Sequence, residues 1–272
     1  MELRNKLYAL DHLELLSMKA QPQAFPEHYH ETFCISLIRS GMETIKMNGI
    51  EIFCPAGSIS LNNPFEIHSN PIIHNAQELS FDTLYVSQEL MDYIVEEVQV
   101  FFSKRIYTHP ILVGLFDQTS RSIKENHSLP DIESSLTSFL RKLWENSNQD
   151  QSLHPTQSLD DWTELFSFIN SSLDQKLNLV SLASIVNMDK YHFARSFRRR
   201  MGMSPMNYVL TKKVFAAKKV IEEDIPLGDI AFDFGFNDLP HFSNTFKKYI
   251  GVSPSVYRKS KGQSLLYYSN KG

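Results

Sequence analysis

Two stretches near the C-terminus, HFARSFRRRMGMSPMNY from His192 and HFSNTFKKYIGVSPSVY from His241, carry one pattern 49 residues apart. His192 falls on His241, Phe193 on Phe242, Phe197 on Phe246, Gly202 on Gly251, Ser204-Pro205 on Ser253-Pro254 and Tyr208 on Tyr257. Upstream the offset drops to 48, so that Ala183 meets Ala231 and Met188 meets Phe236. The turn of the second copy has gained one residue, which a turn tolerates and a core does not. Whatever one copy folds into, the other must fold into as well.

Each copy reads as a short helix, a turn and a second helix. Leu179 to Val186 is the first helix of copy one, and Asp189 is the N-cap of the second; in copy two, Leu227 to Phe234 is followed by Gly235 and then N-cap Asp238. Helical spacing turns Phe193, Phe197 and Met201 inward, with Phe242, Phe246 and Ile250 as their counterparts. Tyr191, Arg195 and Arg198 face away, as do Pro240, Asn244 and Lys247. Pro240 falls in the first turn, where a missing N–H costs little. Between the copies, Pro205 to Glu222 reads as one long helix of roughly 25 to 30 Å at about 1.5 Å per residue, with Tyr208, Val209, Val214, Ala217 and Ile221 spaced for burial. Asp160-Asp161 opens an earlier helix whose buried stripe is Trp162, Leu165, Phe166 and Ile169.

Charge separates this end from the rest. The chain carries a net charge of -4, yet residues 173 to 260 hold 14 Lys and Arg against 8 Asp and Glu, leaving 13 against 23 elsewhere. Packed helical hairpins with ordinary solvated surfaces account for the aromatics. They do not account for Arg195, Arg198, Arg199 and Arg200 on one outward face and Asn244, Lys247 and Lys248 on the other. A helix-turn-helix needs this arrangement: apolar residues hold the second helix, its exposed N-terminal part enters the major groove, and cations one turn on meet phosphates. Phosphate contacts fall to Arg198, Arg199, Lys212, Lys247 and Lys248. A rigid strut would set two such helices about 34 Å apart, into successive major grooves of one face. The expected partner is double-stranded DNA, with Arg195 suited to guanine and Asn244 to adenine.

At these residues the chain resembles the AraC/XylS family of bacterial transcription regulators. The likeness covers about 100 residues, Asp160 to Lys259, and is most specific in IAFDFGFNDLPHFSNTFKKYIGVSPSVYR. The resemblance implies Lys190, Tyr191, Ala194 and Arg195 as base readers in one groove, with Leu239, Pro240, Ser243 and Asn244 in the next. Three positions depart from the pattern: Ala194 is small where polar readers are frequent, Asn244 stands for a common Arg, and Lys213 for a usual Arg on the strut. It further implies a regulator and not an enzyme, an activator by family habit, working as a homodimer with RNA polymerase as a further partner and without a cofactor.

The front of the chain has another texture. From Phe25 to Val86 short β-rich runs alternate with Gly, Pro and Asn turns. After Ser87 the period becomes helical: Leu90, Ile94 and Val98 share one face, and Leu136, Leu140 and Leu143 another. Asn146 to Ser158 is polar. Many short strands with regular turns suggest a sandwich or small barrel, which the family resemblance implies to be a cupin-like β-barrel. The expected fold is α+β, with this N-terminal unit and appended helices over residues 1–147, a linker over 148–159, and an all-α domain over 160–272 with two helix-turn-helix motifs.

HYHE from His28, CPAGSIS from Cys54 and NPFEIHS from Asn63 are similar to the cupin barrels that many members of that family carry in front. Cupin enzymes bind a metal through an HxH pair, a Glu some four residues on, and a His three residues after the Gly of PxG. Here Cys34 and Ile35 occupy the region of the Glu and Ser60 that of the last His, so no metal is expected. A small effector is expected instead, in a pocket drawn from His28, His30, Phe33, Ile35, Phe53 and Ile59. Two rival readings are a regulator answering to a protein partner and a cupin-type enzyme with a DNA-binding tail. The only cysteines, Cys34 and Cys54, are read as buried apolar groups suited to a reducing compartment. No apolar run is long enough to span a membrane, and the first twenty residues lack a signal-peptide core, so a cytoplasmic location is expected.

Overall fold

The computed structural model describes residues 5–10, 12–20, 24–72, 78–147, 162–221 and 225–260. The linker expected at 148–159 and the acidic pair Asp160-Asp161 lie outside the described residues. Ten short strands come first: β1 Asn5–Leu10, β2 Leu13–Met18, β3 Phe25–His28, β4 Phe33–Ser40, β5 Met42–Met47, β6 Ile50–Pro55, β7 Ile59–Asn62, β8 His68–Asn70, β9 Ser80–Val86 and β10 Ile106–Tyr107. Helices α1 Gln88–Val95, α2 Pro110–Lys124 and α3 Leu129–Ser147 accompany them. The remaining helices are α4 Thr163–Ser171, α5 Leu179–Ile185, α6 Lys190–Met201, α7 Pro205–Lys219, α8 Leu227–Asp233, α9 Leu239–Ile250 and α10 Pro254–Ser260.

The strands form two antiparallel sheets, ordered β1-β2-β9-β4-β7-β10 and β3-β8-β5-β6. They stand as open sheets: of the sandwich or small barrel that the turn pattern suggested, the barrel does not close. The first two strands precede the expected strand region. Their sequence hides them because Glu and Lys interrupt the apolar alternation, although β2 itself alternates well enough to bury Leu13, Leu15, Leu16 and Met18.

Period-two alternation gives the larger sheet two destinations. Leu13, Leu15, Phe33, Ile35, Leu37, Ile59, Leu61, Leu84 and Val86 face one side, where they pack with Leu90, Phe116, Phe139, Leu140 and Leu143 of α1, α2 and α3. Leu16, Met18, Ile38 and Phe81 belong to a second core. There they join Ile45, Met47 and Cys54 of the smaller sheet and Val214, Phe215, Phe246, Tyr249, Ile250 and Tyr257 of α7, α9 and α10. A third core, Trp162, Leu165, Ile169, Leu182, Ala183, Phe193, Phe197 and Val209, belongs to α4 through α7. Helix α7 thus serves two cores, with Val209 in one and Val214 in the other.

Two helical expectations need correction. Val98 does not continue the face of Leu90 and Ile94, because Glu96 takes a left-handed conformation (φ 61°) and caps α1, leaving Val98 86% exposed. The strut α7 ends at Lys219 and its 15 residues span roughly 22 Å, shorter than the sequence suggested.

Asp82 on β9 is the main buried charge of the front half. Its carboxylate accepts hydrogen bonds from Ser17 Oγ (2.6 Å), Arg39 Nε (2.8 Å) and Lys124 Nζ (2.7 Å), so it ties β2, β4 and α2 together. Burial alone would raise this carboxyl, but the bonds from Lys124 and Ser17, with the charges of Lys124 and Arg39, outweigh it and hold the group below its ordinary value. Its contribution to stability is therefore present above its unfolded value near 3.8 and is lost as pH falls through the lower folded value. Asp82→Asn takes the carboxylate from Lys124 and one of the two that Arg39 pairs with, Asp117 being the other, and is expected to cost about 3 kcal/mol at neutral pH. Urea unfolding measures this, and a cost below about 1 kcal/mol would mean the network contributes little.

Candidate nucleic-acid interface and the cavity behind it

Helices α6 and α9 begin and end alike. Asp189 accepts from the backbone N–H of Tyr191 and His192, both at 3.0 Å, and Asp238 from that of His241 at 2.6 Å. Each cap satisfies orphan donors of the first turn. Both helices stop at a left-handed glycine, Gly202 and Gly251. At Gly251 a Cβ would lie 3.0 Å from Leu16 Cδ2, so the end of α9 rests directly on β2.

The outward faces are open to solvent. Lys190, Tyr191, Arg195 and Arg199 of α6 are exposed, as are Leu239, Pro240, Asn244, Lys247 and Lys248 of α9, whereas Ala194, Ser243 and Lys212 are half-buried. Tyr191 is 66% exposed and Leu239 41%, values that burial in a core does not allow. The inward residues divide as the spacing requires: Phe193, Phe197, Phe242 and Phe246 are fully buried, Ile250 is buried, and Met201 is half-buried.

Arg198 is exposed but not idle. Its Nη2 pairs with Glu27 of β3 at 2.6 Å, and Lys219 at the end of α7 pairs with Glu31 at 2.6 Å. Glu14 of β2 accepts from Lys218 Nζ and from the Tyr257 hydroxyl, each at 2.8 Å. The acidic body and basic end inferred from the charge split therefore meet at three named carboxylates. Lys213, where the strut pattern favours Arg, is buried; its Nζ donates to the carbonyls of Gln175 (2.6 Å) and Phe234 (2.9 Å). A Cβ at Gly235 would come within 2.7 Å of that nitrogen, so only glycine leaves room for this link.

The expected effector pocket does not form as drawn. Phe33, Ile35 and Ile59 lie at 0 to 1% exposure in the core beneath α1, α2 and α3, and Phe53 is 48% exposed on β6. The neighbouring residues of the same strands, one register step away, line a cavity of about 30 Å3 together with His28, His30, Glu43, His68 and Tyr249. Cys34, Ser36, Ser60 and Asn62 belong to this side of β4 and β7. Ser60 and Asn62 are buried there, and the Asn62 Oδ1 has no hydrogen-bond partner. Both cysteines are free and buried, and burial pushes the Cys54 thiol up to about 12.

Three imidazoles meet in this cavity. The HxH spacing puts His28 and His30 on one side of the chain, and the β3/β8 register places His68 directly opposite His28. His28 Nε2 stands 3.0 Å from His30 Nε2, and the rings of His28 and His68 are 4.5 Å apart. His28 Nδ1 donates to the Pro26 carbonyl (2.7 Å) and His68 Nδ1 to that of Glu66 (2.9 Å). Burial drives all three away from the cationic form: His28 to about 3 with help from His68, His30 well below its ordinary value with help from His28, and His68 downward. Glu43, buried in the same cavity, accepts from Ser60 Oγ (2.6 Å) and Asn70 Nδ2 (3.1 Å), and burial pushes its carboxyl up to about 7. Sequence reasoning singled out the HxH pair but missed His68, although NPFEIHS contains it; the signal lies in a strand pairing that spacing alone does not reveal.

The comparisons with known proteins agree with this geometry. A family model described as a helix-turn-helix domain matches residues 182–260, and one described as an AraC-like ligand binding domain matches residues 12–154. The uncharacterized HTH-type transcriptional regulator YbfI of Bacillus subtilis is 25% identical over 236 residues, 85% of this chain and 86% of that protein. The bifunctional transcriptional activator and DNA repair enzyme AdaA of Bacillus subtilis is 34% identical over 113 residues, 41% of this chain and 54% of its own length. Among solved structures, apo ToxT K231A of Vibrio cholerae has the same fold, with a TM-score of 0.53 at 14% identity over 91% of this chain and 96% of that one.

Glu27 holds a cation on the exposed side of α6. Glu27→Gln frees Arg198 and is expected to tighten binding to duplexes of any sequence by roughly 2- to 5-fold, the scale of one exposed ion pair. Fluorescence anisotropy at fixed salt measures it; unchanged or weaker binding would mean Arg198 meets no phosphate.

Proposed function

The chain belongs to the AraC family of transcription regulators, and on that premise we propose how its residues divide the work. A front part, residues 1–147, controls a DNA-binding part, residues 160–272, which reads one site per helix-turn-helix unit. In the first groove Arg195, Tyr191 and Lys190 read base edges, with Ala194 leaving room beside them. In the second, Asn244 and Ser243 supply polar contacts and Leu239 and Pro240 apolar ones. Arg199, Lys212, Lys247 and Lys248 meet phosphates, joined by Arg198 once Glu27 releases it. The chain acts as a homodimeric activator that contacts RNA polymerase in the cytoplasm, and it is not an enzyme. Among the described residues no helix is long and apolar enough to cross a membrane.

The observation that carries this reading is the pair of capped helices α6 and α9, each pinned inward by two buried phenylalanines while its other face is open. Control by the front part is supported by the core it shares with α7, α9 and α10 and by the carboxylates that hold Arg198, Lys218 and Lys219. A ligand that shifts this seam shifts the placement of the second reading helix relative to the first. Binding acts on the regulator only through such a difference in affinity between two arrangements.

Two substitutions separate reading from gripping. Arg195→Ala is expected to erase preference at one or two base positions, a loss of about 1 to 3 kcal/mol of discrimination. Lys247→Ala is expected to weaken all sequences alike and to lower the salt slope by about 1. Selection from a randomised duplex pool, followed by salt titration, checks both. An unchanged sequence profile for Arg195→Ala would place the reading face elsewhere.

A further inference from the structure

We propose that His28, His30 and His68 form a binding site for one divalent first-row transition metal ion, of which Zn2+ is the probe. The site keeps the HxH pair of the cupin pattern, His28 and His30, but not its other two positions, where Cys34 or Ile35 and Ser60 stand. It draws its third imidazole from β8.

The donor atoms of the three side chains lie within 4.8 Å of one another, with His28 and His30 nitrogens 3.0 Å apart. Tetrahedral coordination with metal–nitrogen bonds of about 2.0 to 2.1 Å separates ligand atoms by about 3.4 Å, inside that range. The tautomers are already set. His28 and His68 each give the Nδ1 proton to a backbone carbonyl, leaving the Nε2 lone pair for an ion, the outer-shell arrangement that orients metal-binding histidines. All three are buried, at 2 to 7% exposure, so an ion held among them is shielded from bulk water.

A second, independent observation lies across the cavity. Asn62 Oδ1 is a buried acceptor without a partner, and Glu43 is a buried carboxylate whose hydrogen bonds come from neutral groups, Ser60 and Asn70. A cation with an open fourth position facing them supplies the positive charge that this wall lacks. The cavity, about 30 Å3, suits an ion with one water and excludes an organic effector. Imidazole ligands without thiolate select Zn2+, Co2+, Ni2+ or Fe2+ over Mg2+ and Ca2+, which prefer oxygen.

The position gives the ion a reporting line to DNA. The His28 ring lies 6.3 Å from that of Tyr249 on α9, and the His30 ring 5.8 Å from that of Phe215 on α7. The site itself is independent of which DNA is read, and its test requires no DNA.

Full-length, tag-free protein stripped with chelator is titrated with Zn2+ in competition with a chromophoric chelator. One tightly held ion per chain is expected, with no comparable uptake of Mg2+. His28→Ala and His68→Gln should each weaken it by more than about 100-fold, beyond what loss of an outer-shell partner costs. Should either variant fail to fold, X-ray absorption on the Zn2+-loaded wild type decides, with three imidazole scatterers expected. Absence of a stoichiometric ion, equal binding by both folded variants, or fewer than three imidazoles at the ion would overturn the proposal.

Discussion

The seam between β2 and the helices α7, α9 and α10 is the constraint on which the remaining structure depends. Leu16 and Met18 leave the sheet on the side away from α1, α2 and α3 and enter the same core as Val214, Phe246, Tyr249 and Ile250. Gly251 suits this place because its φ of 89° is one that residues with a side chain rarely adopt, and a Cβ there would press to 3.0 Å on Leu16 Cδ2. Glu14 closes the rim by accepting from both Lys218 and Tyr257. Burying apolar surface at roughly 25 cal/mol per Å2 makes such a seam far stronger than the ion pairs around it. The ion pairs choose the orientation, and the core holds it.

This seam makes two copies of one motif unequal. The second helix of copy one, α6, packs within its own small core around Trp162, Phe193 and Phe197, and meets the front half at the Arg198–Glu27 pair and where Gly202 approaches Ile67. The second helix of copy two, α9, shares its core with two sheets. A change in the front half therefore meets α9 through a shared core, and α6 through α7 and the smaller Arg198–Glu27 and Gly202–Ile67 contacts. The same inequality appears in the chemistry of the outward faces, where α6 exposes Arg195, Arg198 and Arg199 and α9 exposes Asn244 with two lysines, while Arg200 lies over the Trp162 ring.

How much of this was legible in the sequence follows from the range of each interaction. The helix-turn-helix units were readable because caps, glycine stops and phenylalanine spacing are all local; Asp189, Asp238, Gly202 and Gly251 announce themselves within a few residues. The side of a strand that faces a cavity was not readable, because it depends on register: Phe33, Ile35 and Ile59 belong to the core beneath the helices, and Cys34, Ser36 and Ser60 to the cavity. His68 illustrates the same limit. Its place beside His28 arises from pairing between β3 and β8, across 40 residues that sequence spacing cannot fold. The charge split showed a basic end joined to an acidic body, but neither that the two would touch nor that Glu14, Glu27 and Glu31 would be the contact points. The turn-rich pattern could not choose between sandwich and barrel, since turns fix hairpins and leave open whether sheet edges meet.

Native-state hydrogen exchange across a denaturant series tests the shared seam most directly, because it reports the opening free energy of each element separately. Amides of β2 and of α9 are expected to merge into one isotherm, exchanging only when sheet and helix open together. Exchange of α9 through its own opening, several kcal/mol below that of β2, would contradict a common core and with it the coupling of the front half to the second reading helix.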